Sequence, residues 1–306
     1  MTVARQVVPG RTYLISRRCT QRQFLLRPDE NVERIYLYCL GEAVQRYGMT
    51  LHGFIAMSNH QHLVVRDNQG HFPEFLAHLH KMIAKAMNAL RGRWENFWAT
   101  EQPNAVYLVE AADRLAKLVY LLANPVAADL VDRVTDWPGA TSLGLNLSGK
   151  TKTVQRPRSF FSIDGKMPAE VTLCVERPAG FESLTDAEWA AKLEAAVRVE
   201  EARARQARLE SGRGVLGRKA ILRAEPTDAP KAVEQRRGLR PCVACSDAPR
   251  RNRELSLLSA FRRERSAACR LHIAAVHGVV FPYGTYRVRG PFVMAPLPAA
   301  LSALTT

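Results

Sequence analysis

Two histidines one residue apart, His60 and His62, stand in the stretch Gly53-Phe-Ile-Ala-Met-Ser-Asn-His-Gln-His-Leu-Val-Val-Arg66. The flanks are β-branched and aromatic, so residues 60–65 read as a strand entered through a short Ser58-Asn59 turn. Side chains alternate along a strand, which puts both imidazoles on one face. Two converging imidazoles can hold a divalent metal, and two half-buried histidines without a ligand fit the pattern as well. A second pair, His78 and His80, serves as an internal control. It lies where Phe72, Phe75, Leu76, Leu79, Ile83, Ala86, Met87 and Leu90 recur at helical spacing. Residues two apart on a helix point nearly to opposite sides, so His78 and His80 cannot share a metal.

Further along, Tyr120-Leu-Leu-Ala-Asn124-Pro125-Val126 places a tyrosine and an amide four residues apart, on one face of a predicted helix. A tyrosine hydroxyl is a competent nucleophile towards phosphorus when something neutralises the phosphate and orients the attack. A bound metal supplies that neutralisation, and an amide oxygen beside the tyrosine can complete its coordination. Taken alone, Tyr120 reads first as a ring packing on the core.

The elements that must position these residues follow from periodicity. Residues 11–19 predict a first strand, and Asp29 or Asn31 caps a helix that Gly48 closes. Strands over 49–56 and 60–65, a helix over 72–91, a strand over 105–109 and a helix over about 112–123 complete the series, with Pro125 helping to end that last helix. The order β-α-β-β-α-β is the split βαβ, or ferredoxin-like, arrangement: an α+β fold with a central antiparallel sheet. Its first and third strands lie in the middle, so the histidine strand is central and rigid, where a precise site is best held.

The rest of the chain reads as a basic, mainly helical extension. The domain reading is 1–144 catalytic, 145–182 linker and 183–306 extension. Polar, Gly- and Pro-punctuated sequence suggests the linker, and Thr185 or Asp186 caps a charged, Ala-rich helix running to Leu209. The tract 213–253, including Arg236-Arg237 and Arg250-Arg-Asn-Arg253, reads either as a flexible phosphate-contacting segment or as disordered filler. A last helix is expected over about 254–276. Cys242-Val-Ala-Cys245 is a lone CxxC, and adding Cys269 and His272 makes a poor zinc signal.

A formal charge of +15 and a pI near 10.0 point to a polyanionic partner. With no run of about 18 apolar residues, nucleic acid is favoured over a membrane. Met1-Thr-Val-Ala-Arg-Gln lacks the apolar core of a secretory signal, and six scattered cysteines argue against a disulfide framework, so a reducing cytoplasm is the expected compartment.

Four ordered stretches, Tyr13-Leu-Ile-Ser-Arg-Arg, Met57-Ser-Asn-His-Gln-His-Leu-Val-Val65, Tyr120-Leu-Leu-Ala-Asn-Pro-Val126 with Leu130-Val131, and Trp137-Pro-Gly139, together resemble the REP-associated tyrosine transposases. These are relatives of the insertion-sequence single-tyrosine HUH transposases. The resemblance covers residues 8 to 144, and Phe281-Pro-Tyr-Gly-Thr-Tyr286 resembles the tail of longer members. It implies that His60, His62 and Asn124 are metal ligands for Mg²⁺ or Mn²⁺ and that Tyr120 is the nucleophile that forms a 5′-phosphotyrosine. It further implies the ferredoxin-like fold, a single-stranded or hairpin DNA substrate, a monomer and a nucleoid-associated location. Arg17, Arg18, Arg236 and Arg237 are candidate DNA contacts. Gln61, Ser58, Ala127 and Asp129 depart from the family pattern; Asp129 brings a negative charge that could oppose DNA. Two functions therefore compete: a DNA nicking and rejoining enzyme, and a non-catalytic binder of folded single strands.

Overall fold

The computed structural model describes residues 4–231, 241–298 and 301; Arg236 and Arg237 lie outside them. The first strand, β1, spans Thr12–Arg18. Asp29 starts α1 (Glu30–Tyr47) by accepting the Val32 N–H at 2.9 Å, and Gly48 ends it in the left-handed region at φ 60°. The hairpin β2 (Met49–Met57) and β3 (His60–Asp67) follows, then α2 (Phe72–Leu90), β4 (Asn104–Leu108) and α3 (Ala111–Ala127). These strands hydrogen-bond in the order β2-β3-β1-β4, every pair antiparallel. A short β7 (Val243–Ala244) adds to β4 in parallel. β1 and β3 are therefore interior, as the histidine strand requires.

Strand alternation sorts the two cores. Tyr13, Ile15, Leu63 and Val65 pack with α1 and α2, while Leu14, Val64, Val106 and Leu108 pack with α3 and α5 (Asp186–Ser211). α3 crosses β2 at very close range, beside a register shift between Leu51 and Gly53. A Cβ at Gly53 would lie 2.4 Å from Leu118 Cδ1, so the glycine lets that side chain of α3 pack directly on the strand backbone.

The sequence-based expectations fail in three places beyond Gly92. Pro125 does not end α3, which runs on to Ala127. A proline in the last turn loses one hydrogen bond, and the turn is held from outside instead: Arg208 of α5 donates to the Val126 carbonyl at 3.2 Å. Residues 145–182 are built into the core rather than a simple connection. They hold the end of α4 (Leu143–Ser148) and the hairpin β5 (Lys152–Gln155) and β6 (Glu170–Leu173). Val154, Val171 and Leu173 are buried in the same core as α1, and a Cβ at Gly41 of α1 would lie 2.8 Å from Val171 Cγ2. Two four-residue strands with one or two inward residues each carry too little periodicity to be read from sequence.

The tract 213–253 is likewise structured where it is described. α6 (Arg218–Arg223) buries Ile221 in the α3–α5 core, β7 extends the sheet, and α7 (Ala248–Ile273) starts early, at Asp247, whose side chain accepts the Arg250 N–H at 2.9 Å. The chain then returns to its beginning: Gly284 O accepts the Val7 N–H at 2.9 Å, and β8 (Val280–Phe281) pairs with β9 (Val293–Met294). Among the described residues no helix is long and apolar enough to cross a membrane.

Candidate active site

The turn that aims the histidine strand is tied at both sides. Ser58 O accepts from Leu26 N–H at 2.9 Å and Asn59 O from Cys19 N–H at 2.8 Å, so the serine at this turn leaves it well held. In register, His62 lies between Ser16 of β1 and Ile55 of β2, and His60 lies between Arg18 and Met57. The two imidazoles share the α3 face of the sheet with ring centroids 4.8 Å apart.

Each imidazole has its Nδ1 engaged by a neighbour. Asn59 Oδ1 lies 2.7 Å from His60 Nδ1; an amide oxygen only accepts, so Nδ1 is the donor in this contact. Ser16 Oγ lies 2.7 Å from His62 Nδ1. Burial, and behind it the neighbouring His60, holds the His62 pKa down to about 3, so that ring is neutral at neutral pH. Hydrogen-bond partners at the second ring nitrogen orient metal-binding histidines.

α3 brings the other two residues. A capping box between Glu110 and Asp113 starts the helix, and Leu118, Val119, Leu121, Leu122 and Val126 bury one side of it. Asn124 lies inside the helix and is 8% exposed, not at a loose end as Pro125 suggests. Its Nδ2 lies 3.4 Å from His62 Nε2. One turn earlier Tyr120 stands edge-on to His62, ring centroids 5.6 Å apart, with 45% of its surface open. His60, His62, Asn124 and Tyr120 are thus brought together from two elements far apart in sequence.

The donor set fits a divalent cation. The two imidazoles would offer Nε2, and a half-turn of the Asn124 amide exchanges Nδ2 for the hard oxygen Oδ1 at the same place. No carboxylate is needed, which leaves the cation's charge available to an anionic substrate.

No family model matches the chain, and no curated protein matches it. Among solved structures it is similar to a REP-associated tyrosine transposase bound to a REP hairpin, at 15% identity and a TM-score of 0.42, covering 59% of this chain and 99% of the other. It is also similar to a Deinococcus radiodurans protein assigned as a transposase, at 18% identity and a TM-score of 0.29, covering 38% and 93% of the two chains.

Three residues at the site were given no role there in the reading from sequence. Ser16 and Asn59 orient the imidazoles, and Lys117 holds its ammonium 5.6 Å from the Tyr120 ring centroid. Ser16 could have been found only as a small polar residue on the strand face of Leu14; Lys117 could not, because a lysine on a helix surface is common.

The other candidates separate. Arg17 points to the opposite face, where it lies over Trp98 and donates to Ala99 O at 3.2 Å, while Arg18 keeps the face of His60. Gln61, also on that opposite face, is fully buried, and its amide makes no hydrogen bond among the described residues. His78 pairs with Glu42 at 2.6 Å, whereas His80 turns away to meet Trp98 edge-on. Cys242 Sγ accepts from Arg262 at 3.4 Å and His272 Nε2 lies 2.8 Å from Arg289 O. Cys245 instead lies with Glu110 and Asp113. Those two acids are already used: Asp113 accepts from Ser246 N–H at 2.8 Å, and Glu110 pairs with Arg250 at 3.1 Å. Asp129 has partners within the chain, Arg208 at 3.6 Å and Arg213 at 3.5 Å, so its charge is met there.

Proposed function

We propose that this chain is a metal-dependent, single-strand-specific DNA endonuclease and strand transferase, a relative of the REP-associated tyrosine transposases that acts on hairpin-forming repeats. The observation that carries the reading is the meeting of His60, His62, Asn124 and Tyr120 at one point of a rigid sheet. In this reading residues 1–144 form a ferredoxin-like catalytic domain of the HUH type, 145–182 buttress it, and 183–306 add a basic, DNA-contacting extension. The protein works as a monomer on DNA in the cytoplasm.

His60 Nε2, His62 Nε2 and Asn124 Oδ1 would hold Mg²⁺ or Mn²⁺, which when bound supplies positive charge against the non-bridging oxygens of the scissile phosphate. Tyr120 Oη attacks the phosphorus; the Oη–P bond forms as the P–O3′ bond breaks. The leaving oxygen takes a proton and becomes a 3′-hydroxyl, and the tyrosine proton passes to solvent. The strand is left as a 5′-phosphotyrosine. Attack by a 3′-hydroxyl on that linkage rejoins DNA by exchanging one P–O bond for another, without ATP. Lys117 keeps a cation beside the ring where phenolate charge develops. Ser16 and Asn59 would keep both Nε2 lone pairs turned to the site.

The test is a labelled hairpin oligonucleotide incubated with protein and Mg²⁺ or Mn²⁺, then run on a denaturing gel. Wild type is expected to form a covalent adduct, and Tyr120→Phe to form none while still shifting the oligonucleotide on a native gel. A wild-type protein that shifts the oligonucleotide and yields no adduct is the second function, a non-catalytic hairpin binder.

A further inference from the structure

The loop between α2 and β4 carries two tryptophans with opposite fates. Trp98 is 7% exposed and donates its indole N–H to His80 O at 2.8 Å. Trp94 is 89% exposed, while the remaining tryptophans, Trp137 and Trp189, are 4% and 5% exposed. Slack backbone is not the reason. Arg91 N–H bonds to Met87 O at 2.9 Å, Gly92 turns at φ 61°, and Arg93 N–H bonds to Asn88 O at 2.8 Å. The Asn88 amide then donates to Glu95 O at 2.7 Å, so the chain on both sides of Trp94 is tied to the end of α2. A large flat apolar ring is held out in water by a pinned loop, and it contributes nothing to the core.

This loop lies at the same end of the sheet as the histidines, packed with α2 on the face opposite the candidate site. Thr20 N–H bonds to Phe97 O and Ala99 N–H to Arg18 O, both at 2.9 Å, and Cys19 N–H bonds to Asn59 O at 2.8 Å. Loop, end of β1 and the turn before His60 are thus one hydrogen-bonded rim. The Nε of Arg93 is buried, and Arg91 pairs with Asp29 at 3.0 Å. Glu95 and Glu101 are the acids of the loop.

We propose that Trp94 is a stacking subsite for one unpaired nucleobase of single-stranded DNA running over this rim to or from the Tyr120 site. The inference rests on the function proposed above, and it adds where the strand lies beyond the scissile phosphate. Every base offers a π face, so stacking on indole is tolerant of sequence. A base inside a duplex is already stacked on both sides, so the contact selects strandedness instead.

The experiment titrates the full-length protein with oligothymidylate in EDTA, following tryptophan fluorescence, in which Trp94 supplies the water-exposed, red-shifted emission. Wild type is expected to lose that emission on binding, and a duplex of equal length to leave it unchanged. Trp94→Ala should bind the single strand about tenfold more weakly or worse, and Trp94→Phe should recover most of the loss. Melting temperatures should match in all three proteins, because the indole buries almost nothing. Wild-type affinity in Trp94→Ala, or equal quenching by the duplex, overturns the subsite. The two proposals fail separately. Quenching without any covalent adduct in Mg²⁺ or Mn²⁺ retires the catalysis and keeps the subsite, whereas an adduct with no dependence on Trp94 does the reverse.

Discussion

Arg208 is the residue through which the carboxyl-terminal extension holds the helix of the candidate site. It is 4% exposed, donates to Val126 O at 3.2 Å and to Asp132 at 2.6 Å, and pairs with Asp129 at 3.6 Å. Arg208→Ala removes all three. A buried charged hydrogen bond to a helix-terminal carbonyl contributes about 1.5–3 kcal/mol. The two carboxylates are partly open to water, Asp132 about half, so each pair is discounted to roughly 0.5–1 kcal/mol. The loss expected is therefore on the order of 3–4 kcal/mol. Arg208→Lys, which cannot fork between a carbonyl and a carboxylate, should restore about half of that. Urea unfolding followed by circular dichroism reads the difference, and single-turnover cleavage of a hairpin oligonucleotide reads the site. Because Asn124 lies in the last turns of α3, both variants should also cleave more slowly under limiting metal well below their unfolding midpoint. A loss under about 1 kcal/mol for Arg208→Ala would refute the reasoning, since it would equate this clamp with an ordinary surface ion pair.

Asn124→Ala should keep the fold, since alanine suits a helix interior, while lowering metal affinity by calorimetry and cleavage together; Asn124→Asp should bind metal more tightly and cleave less well. Wild-type cleavage by Asn124→Ala under limiting metal would remove the amide from the ligand set. His52 and His80 are both held neutral by burial, at pKa values of about 4 and 3, against about 6.5 when unfolded. Below pH 6.5 the unfolded chain takes up protons that the folded chain refuses. Stability should fall by about 1.4 kcal/mol per pH unit for each of the two as pH drops towards 4, and a flat urea midpoint between pH 7 and 5 would contradict this. On α7 the outward residues Asn252, Ser256, Ser259, Arg263, Ser266 and Arg270 are exposed at alternating spacings of four and three and include no acid. Arg263→Glu with Arg270→Glu should weaken binding to all hairpins alike and flatten its salt dependence; an unchanged slope would make this face inert.

The shared faces of the candidate residues were legible because their spacing matches the period of the element that carries them. Alternation put His60 and His62 on one strand face, a four-residue step put Tyr120 and Asn124 on one helix face, and a two-residue step on a helix kept His78 from His80. Asp29, Gly48 and Thr185 announced helix ends because capping is a local hydrogen-bond problem. Local pattern misplaced what non-local contacts decide. Pro125 reads as a terminator, yet α3 continues because Arg208, 82 residues away, takes the Val126 carbonyl. Asp129 reads as a charge facing DNA, yet Arg208 and Arg213 meet it. Residues 145–182 read as a linker, yet Gly41 leaves the hollow that Val171 fills. Sequence by itself determined which faces the imidazoles, the phenol and the amide occupy. Only the tertiary structure decided that those faces meet, because their meeting depends on how closely α3 can approach the sheet. That approach uses the missing side chain at Gly53, where Leu118 packs on the strand backbone, and the clamp from α5, and neither lies within a helical or strand period of the residues it positions.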